Sequence, residues 1–184
     1  TLNTDGSLLW QQAYQQALEP ARGTQQQVPV VPQSLVPRAG GMTVFGFGGY
    51  RQRKGPFSLR LSADGDFQSS RSYQDAAATL DGAATATAEG DLVMAYGRAS
   101  NSSQRLLKVN QNGQIVYSKR IQASSFNTVA NLAARPGEGY YALLTNSTGS
   151  EFVLVNISEQ GELAWRTRKL LISGSGSTQA QGLA

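Results

Sequence analysis

Ser62-Ala63-Asp64-Gly65-Asp66 is the densest group of metal-seeking oxygens in this chain, and Asp91 adds one more carboxylate further on. Calcium takes hard oxygen ligands, but it needs several of them converging at short intervals. Two carboxylates flanking a glycine fit a hairpin turn better. Asp5-Gly6 and Asp64-Gly65 lack the residue that separates Asp from Gly in a sialidase-type Asp box. A glycosidase would need two carboxylates at a controlled separation. The 12 Asp and Glu residues of this chain fall mostly in turns and polar strands.

Other routes are closed by composition. The chain has no His, which removes Ser–His–Asp triads, His-ligated zinc and imidazole acid–base chemistry. It has no Cys, so disulfides, thiolate metal sites and thiol nucleophiles are absent too. Gly46-Phe47-Gly48-Gly49-Tyr50 is glycine-rich but lacks dinucleotide-loop spacing, and no helix pattern follows it. It reads instead as a strand where backbones crowd. Asn101-Ser102-Ser103, Asn146-Ser147-Thr148 and Asn156-Ile157-Ser158 match glycosylation acceptors, which matter only in a secretory eukaryotic setting.

The net charge of +4 comes from 16 Lys and Arg. Many cluster in polar strand-like segments: Arg71, Lys119, Arg120, Arg166, Arg168 and Lys169. One reading is a basic rim for phosphate, nucleic acid or an anionic surface. The other is an exposed edge whose charges discourage edge-to-edge pairing. No aromatic stacking platform accompanies the charges, so the second is preferred and nucleic acid is not expected as a partner. The residues thus assign no catalytic, cofactor-binding or metal-binding role, and the binding residues stay unknown. No cofactor is expected.

The elements that carry these residues recur. Four segments, 2–10, 59–67, 106–117 and 153–165, share an alternating apolar run, a polar turn closing on glycine and a second run. The turn glycines Gly6, Gly65, Gly113 and Gly161 stand 59, 48 and 48 residues apart. A period near 50 with strand signals throughout indicates a repeat architecture.

Each unit predicts four strands. In one they are 83–88, 91–98, 104–110 and 114–121; in the next, 128–134, 139–146, 152–157 and 162–170. Asn112-Gly113 predicts a type I′ hairpin, because glycine adopts positive φ freely. Second strands such as Val93-Met94-Ala95-Tyr96 and Tyr140-Tyr141-Ala142-Leu143-Leu144 are apolar on both faces, as strands buried between layers are. Val93 and Leu143 are therefore expected inside, and Lys119 and Arg168 outside.

An earlier unit has its second strand at 42–51 and its third at 57–62. Its first must come from 28–35, where Pro29 and Pro32 would break a central ladder. Residues 76–82 read as an insertion. Residues 10–18 also fit a helical stripe, but a strand to about Tyr14 is favoured.

The expected fold is an all-β propeller of four-stranded antiparallel blades, with about three complete blades and partial blades at both ends. Its divisions are residues 1–14 (end of a partial blade), 15–27 (Gln-rich connection), 28–75, 76–123 and 124–171 (blades), and 172–184 (linker and first strand of a further blade). The ends supply too few strands to close a ring, so a self-sufficient propeller is not expected.

The units resemble bacterial and archaeal extracellular β-propeller repeats. The residues that carry the resemblance are Gly90, 92–97, Leu107-Lys108-Val109, Asn112-Gly113 and Tyr117, then Gly139, 141–144, Leu154-Val155-Asn156, Gly161 and Trp165. The Gly-x-x-x-Trp of Gly6 to Trp10 and Gly161 to Trp165 is also similar to quinoprotein propellers, but nothing marks their cofactor pocket. Here the closing aromatic is expected to pack between blades, with Tyr117 in that role in the middle unit.

The resemblance implies an extracellular, cell-envelope or periplasmic protein and no shared activity. The expected function is a non-enzymatic binding or structural scaffold presenting loops to a protein or glycan, with remaining blades from flanking sequence or another chain. The alternative is part of a propeller enzyme, quinoprotein-like or carbohydrate-active, whose site lies mostly outside this chain. No apolar run approaches the ~20 residues that span a bilayer.

Overall fold

In the computed structural model the described residues are 30–48, 55–75, 78–98, 103–121, 126, 128–146, 151–166 and 170–171. They form β1 (Val30–Arg38), β2 (Gly41–Gly48), β3 (Gly55–Ser62) and β4 (Phe67–Ser72), then β5 (Ala78–Ala86), β6 (Leu92–Arg98), β7 (Ser103–Val109) and β8 (Ile115–Ile121). The last group is β9 (Thr128–Arg135), β10 (Gly139–Thr145), β11 (Glu151–Ile157), β12 (Leu163–Arg166) and β13 (Leu170–Leu171). Every pairing is antiparallel, in sheets ordered β1-β2-β3-β4, β5-β6-β7-β8 and β9-β10-β11-β12, with β13 also on β11. None of the three sheets is closed on itself. The fold is all-β.

Alternation explains which strands lie deep. Along β6, Val93 and Ala95 point into one apolar cluster and Leu92, Met94 and Tyr96 into another. The first cluster joins β6 and β7 to the third sheet through Val129, Leu132, Tyr140, Ala142 and Leu144. The second joins them to the first sheet through Val36, Phe45, Phe47 and Tyr73. The middle sheet is thus sandwiched, and each fully buried large side chain contributes about 1.5–3 kcal/mol. Phe47 stacks edge-on against Phe45 at 5.2 Å and against Tyr96 at 5.9 Å, welding the first two sheets. The outer strands β4 and β8 are mostly exposed, in line with their polar sequences.

Four hairpins share one construction. The amides of Gly65, Gly90, Gly113 and Gly161 donate to the carbonyls of Ser62, Thr87, Asn110 and Ser158, three residues back. Each glycine has φ between 75 and 86°. This is a three-residue loop with a glycine bulge, not the two-residue type I′ turn that Asn112-Gly113 predicts. The opening side chain closes the turn. Ser62 Oγ, Thr87 Oγ1, Asn110 Oδ1 and Ser158 Oγ accept from the amides of Asp66, Asp91, Gln114 and Glu162. A short polar side chain followed three residues later by glycine is the sequence signal, and Asn3 to Gly6 carries it as well.

Several expectations need correction. The strand predicted at 28–35 is Val30–Arg38, and it tolerates Pro32 and Pro37 because β1 lies at a sheet edge and its register shifts between Pro32 and Ser34. Residues 76–82 are no separate insertion: from Ala78 on they belong to β5, whose register slips between Ala78 and Gly82. Gly82 is required there, since a Cβ would stand 2.7 Å from the Ala95 carbonyl oxygen and 2.8 Å from the Phe47 ring. Gly46 is buried, and a Cβ on it would collide with the Val31 carbonyl, so backbones do crowd at this glycine-rich strand. The strand expected at 162–170 is split into β12 and β13, which both pair with β11.

Facing is also corrected in β10. Val93 is fully buried, but Leu143 is only half-buried, and Leu144 takes the core position. Lys119 is half-exposed, and Arg168 lies outside the described residues. Tyr117 does pack between sheets, but Trp165 stays 42% exposed and stacks on Tyr141 of its own sheet at 6.0 Å. The alternation in β11 and β12 puts Trp165 beside Asn156, on the face turned away from the shared core.

Candidate functional site

Polar side chains in the described residues collect at three places, each set by strand register. The first is the turn end of the opening sheet. Thr43 pairs with Val36 on one side and Arg60 on the other, so Arg38, two residues from Val36, shares their face. The Arg38 guanidinium donates to Thr43 Oγ1 at 3.5 Å and to the Gly90 carbonyl at 2.9 Å. Arg60 donates to the Asn110 carbonyl at 3.4 Å. Both acceptors lie in hairpins of the middle sheet, so the two arginines tie the sheets together.

The same arginines line a cleft of about 190 Å³, with Gly40, Met42, Leu61 and Gln68 on its other walls. Among the described residues neither guanidinium forms an ion pair with a carboxylate. Burial, and then the Arg38 charge, lower the Arg60 pKa from its usual value, and Arg71 adds to the repulsion. Arginine stays charged through such shifts. The cleft is therefore a concentration of positive potential.

The second place is Asp75, on the connection from β4 to β5. Its carboxylate is 3.0 Å from Arg98 Nε and accepts from the Tyr96 hydroxyl at 3.3 Å. Arg105 stands 3.8 Å away. Burial, and then the Asp75 charge, raise the Tyr96 pKa above the usual phenol range. A carboxylate held this way by arginine anchors the connection.

The third place is the core between the middle and last sheets. Tyr117 and Tyr140 meet there, and burial followed by the neighbouring Tyr140 raises the Tyr117 pKa. Gln104 is fully buried on β7 with no hydrogen-bond partner for either amide atom among the described residues.

The residues singled out in the sequence fall as follows. Asp64 and Asp66 are exposed in the β3–β4 hairpin, and Asp91 sits 3.4 Å from Lys108 within its own sheet. They are not brought together: no three carboxylates among the described residues gather around one point. Asn146 and Asn156 are half-buried and buried, and Asn101 lies outside the described residues. Arg71 and Lys119 occupy equivalent outer-strand positions, and each lays its stem on the turn glycine of the next sheet, Gly113 and Gly161. Lys119 also pairs with Glu162 of that sheet. These cations therefore brace neighbouring sheets, a role neither sequence reading named. Arg120 is exposed; the Arg166 side chain, Arg168 and Lys169 lie outside the described residues. Sequence reasoning missed Arg38, Arg60 and Asp75, whose long-range partners are 21 to 52 residues away and follow no spacing rule.

No family model and no curated protein matches the chain. Among solved structures it is similar to a protein of unknown function from Bacteroides caccae, at 15% identity and a TM-score of 0.48, over 79% of this chain and 47% of that one. The chain thus spans about half the length of that protein. No helix of the described residues is long and apolar enough to cross a membrane.

Proposed function

We propose that this chain is a propeller segment of the extracellular-repeat type, acting as a non-enzymatic scaffold that presents loops to a protein or glycan partner. The observation that supports it is how the ionisable side chains are used. Arg38, Arg60, Arg71 and Lys119 reach across to the neighbouring sheet, and Asp75 anchors the connection to Arg98. Charges spent on holding sheets in register leave recognition to the connections. The side-by-side first strands β1, β5 and β9 also suit successive blades.

In each sheet the tight turns cap one end, and at the other β2 leads to β3, β6 to β7 and β10 to β11. That second end is the surface this reading assigns to a partner, in an extracellular or envelope setting. The test is a thermal-shift screen of the protein against neutral and acidic oligosaccharides, with reducing-end release measured on the same panel. A saccharide that raises the melting temperature without being cleaved supports the scaffold; steady cleavage moves the assignment to a carbohydrate-active enzyme.

A further inference from the structure

We propose that the cleft between Arg38 and Arg60 is a binding site for the carboxylate of a small organic acid. The site lies at the tight-turn end of the first sheet, opposite the end assigned to a partner above, so it goes beyond that reading.

Two guanidiniums repel one another, and their proximity is tolerable here because backbone carbonyls and Thr43 take some of their donors. A guanidinium has five N–H donors in a planar fork. The partners shown leave donors on both arginines unused among the described residues, and all of those partners are neutral. An anion between them would cancel the repulsion and gain charge-assisted hydrogen bonds.

Size and lining narrow the class. At about 190 Å³ the cleft is below the several hundred Å³ of a pocket for a whole small molecule, so it seats one substituent. It has more room than a bare inorganic ion needs. By register Met42 and Leu61 turn their side chains to the opposite face from Arg60, and Leu61 is buried, so the cleft wall is mainly polar, with exposed Gln68 at the rim. An acidic sugar and an acidic amino acid share the required chemistry.

Isothermal titration of the whole protein with sodium glucuronate and with N-acetylglutamate separates these two sources. The uncharged glucuronamide and N-acetylglutamine serve as isosteric controls, and sodium sulfate tests whether an inorganic anion suffices. The expected result is saturable binding of at least one acid, weakened about tenfold or more in Arg60→Gln, the loss expected of one charge-assisted hydrogen bond. Arg60→Gln also loses an inter-sheet tie, so Gln68→Glu, at an exposed rim position, provides a second variant. It should weaken binding by placing a negative charge at the entrance while leaving the melting temperature near that of the parent. No binding of either acid, equal binding of the amides, sulfate binding as tight as both acids, or unchanged affinity in both variants would each overturn the proposal.

Discussion

The side chain of Arg71 lies directly on Gly113, the turn glycine of the neighbouring sheet. A Cβ on Gly113 would stand 2.7 Å from Arg71 Nε, and the glycine itself has φ of 75°. The hairpin therefore depends on glycine for two separate reasons, one local and one from the next sheet.

These two reasons predict a partial rescue. Gly113→Val should destabilise the protein by about 1–3 kcal/mol through backbone strain, with more from the collision. Adding Arg71→Ala should recover only the collision share. Urea melts of the two single variants and the double variant measure this, and full recovery in the double variant would mean that φ carries no cost.

Leu143 and Leu144 are neighbours with opposite fates. Leu144→Ala should cost about 2–5 kcal/mol, because it empties a buried position between the middle and last sheets. Leu143→Ala should cost clearly less, since that side chain is half-buried on the opposite face. Equal losses in the two variants would contradict the facing of β10, and a larger loss at Leu143 would reverse it.

The residue opening each hairpin offers a graded series. Asn110 Oδ1 accepts from the amides of both Asn112 and Gln114, whereas Ser62, Thr87 and Ser158 each close on one amide. Substitution by Ala should cost about 0.5–1.5 kcal/mol per lost hydrogen bond, so Asn110→Ala should show the largest loss of melting temperature of the four. A smaller loss there than at Ser62 would refute the ranking.

Alkaline stability should bend at the tyrosines. Burial raises the folded-state pKa of Tyr96 and Tyr117 above the usual value of 10.0. The unfolded chain then releases those protons first, so the folded state holds more protons between the two values. Stability is fully present below about pH 10 and falls as pH rises beyond it. Tyr117→Phe should flatten that fall in urea melts taken from pH 8 to 11. An equally steep fall in the variant would show that Tyr117 ionises in the folded protein as it does in the open chain.

Much of the local architecture was legible in the residues. Runs of period two, broken by a polar residue and a glycine three positions later, place the strands within a few residues of where they lie. Gly65, Gly113 and Gly161 were identifiable as turn residues because only a residue without a side chain adopts positive φ without strain. The polar character of β4 and β8 likewise put them outside.

Facing and pairing were decided by the tertiary structure. A strand such as β10 is apolar on both faces, so alternation carries no information about which face meets the neighbouring sheet. That is why Leu143 and Leu144 exchange roles. Pro32 and Pro37 can belong to a strand because β1 lies at an edge, where a missing amide leaves no inner ladder unpaired. Arg38 meets Gly90 and Asp75 meets Arg98 because sheets pack, not because any local spacing joins them. Charges at long range in sequence become neighbours only once the apolar faces have chosen their partners, and the cleft between Arg38 and Arg60 exists only in that packed arrangement.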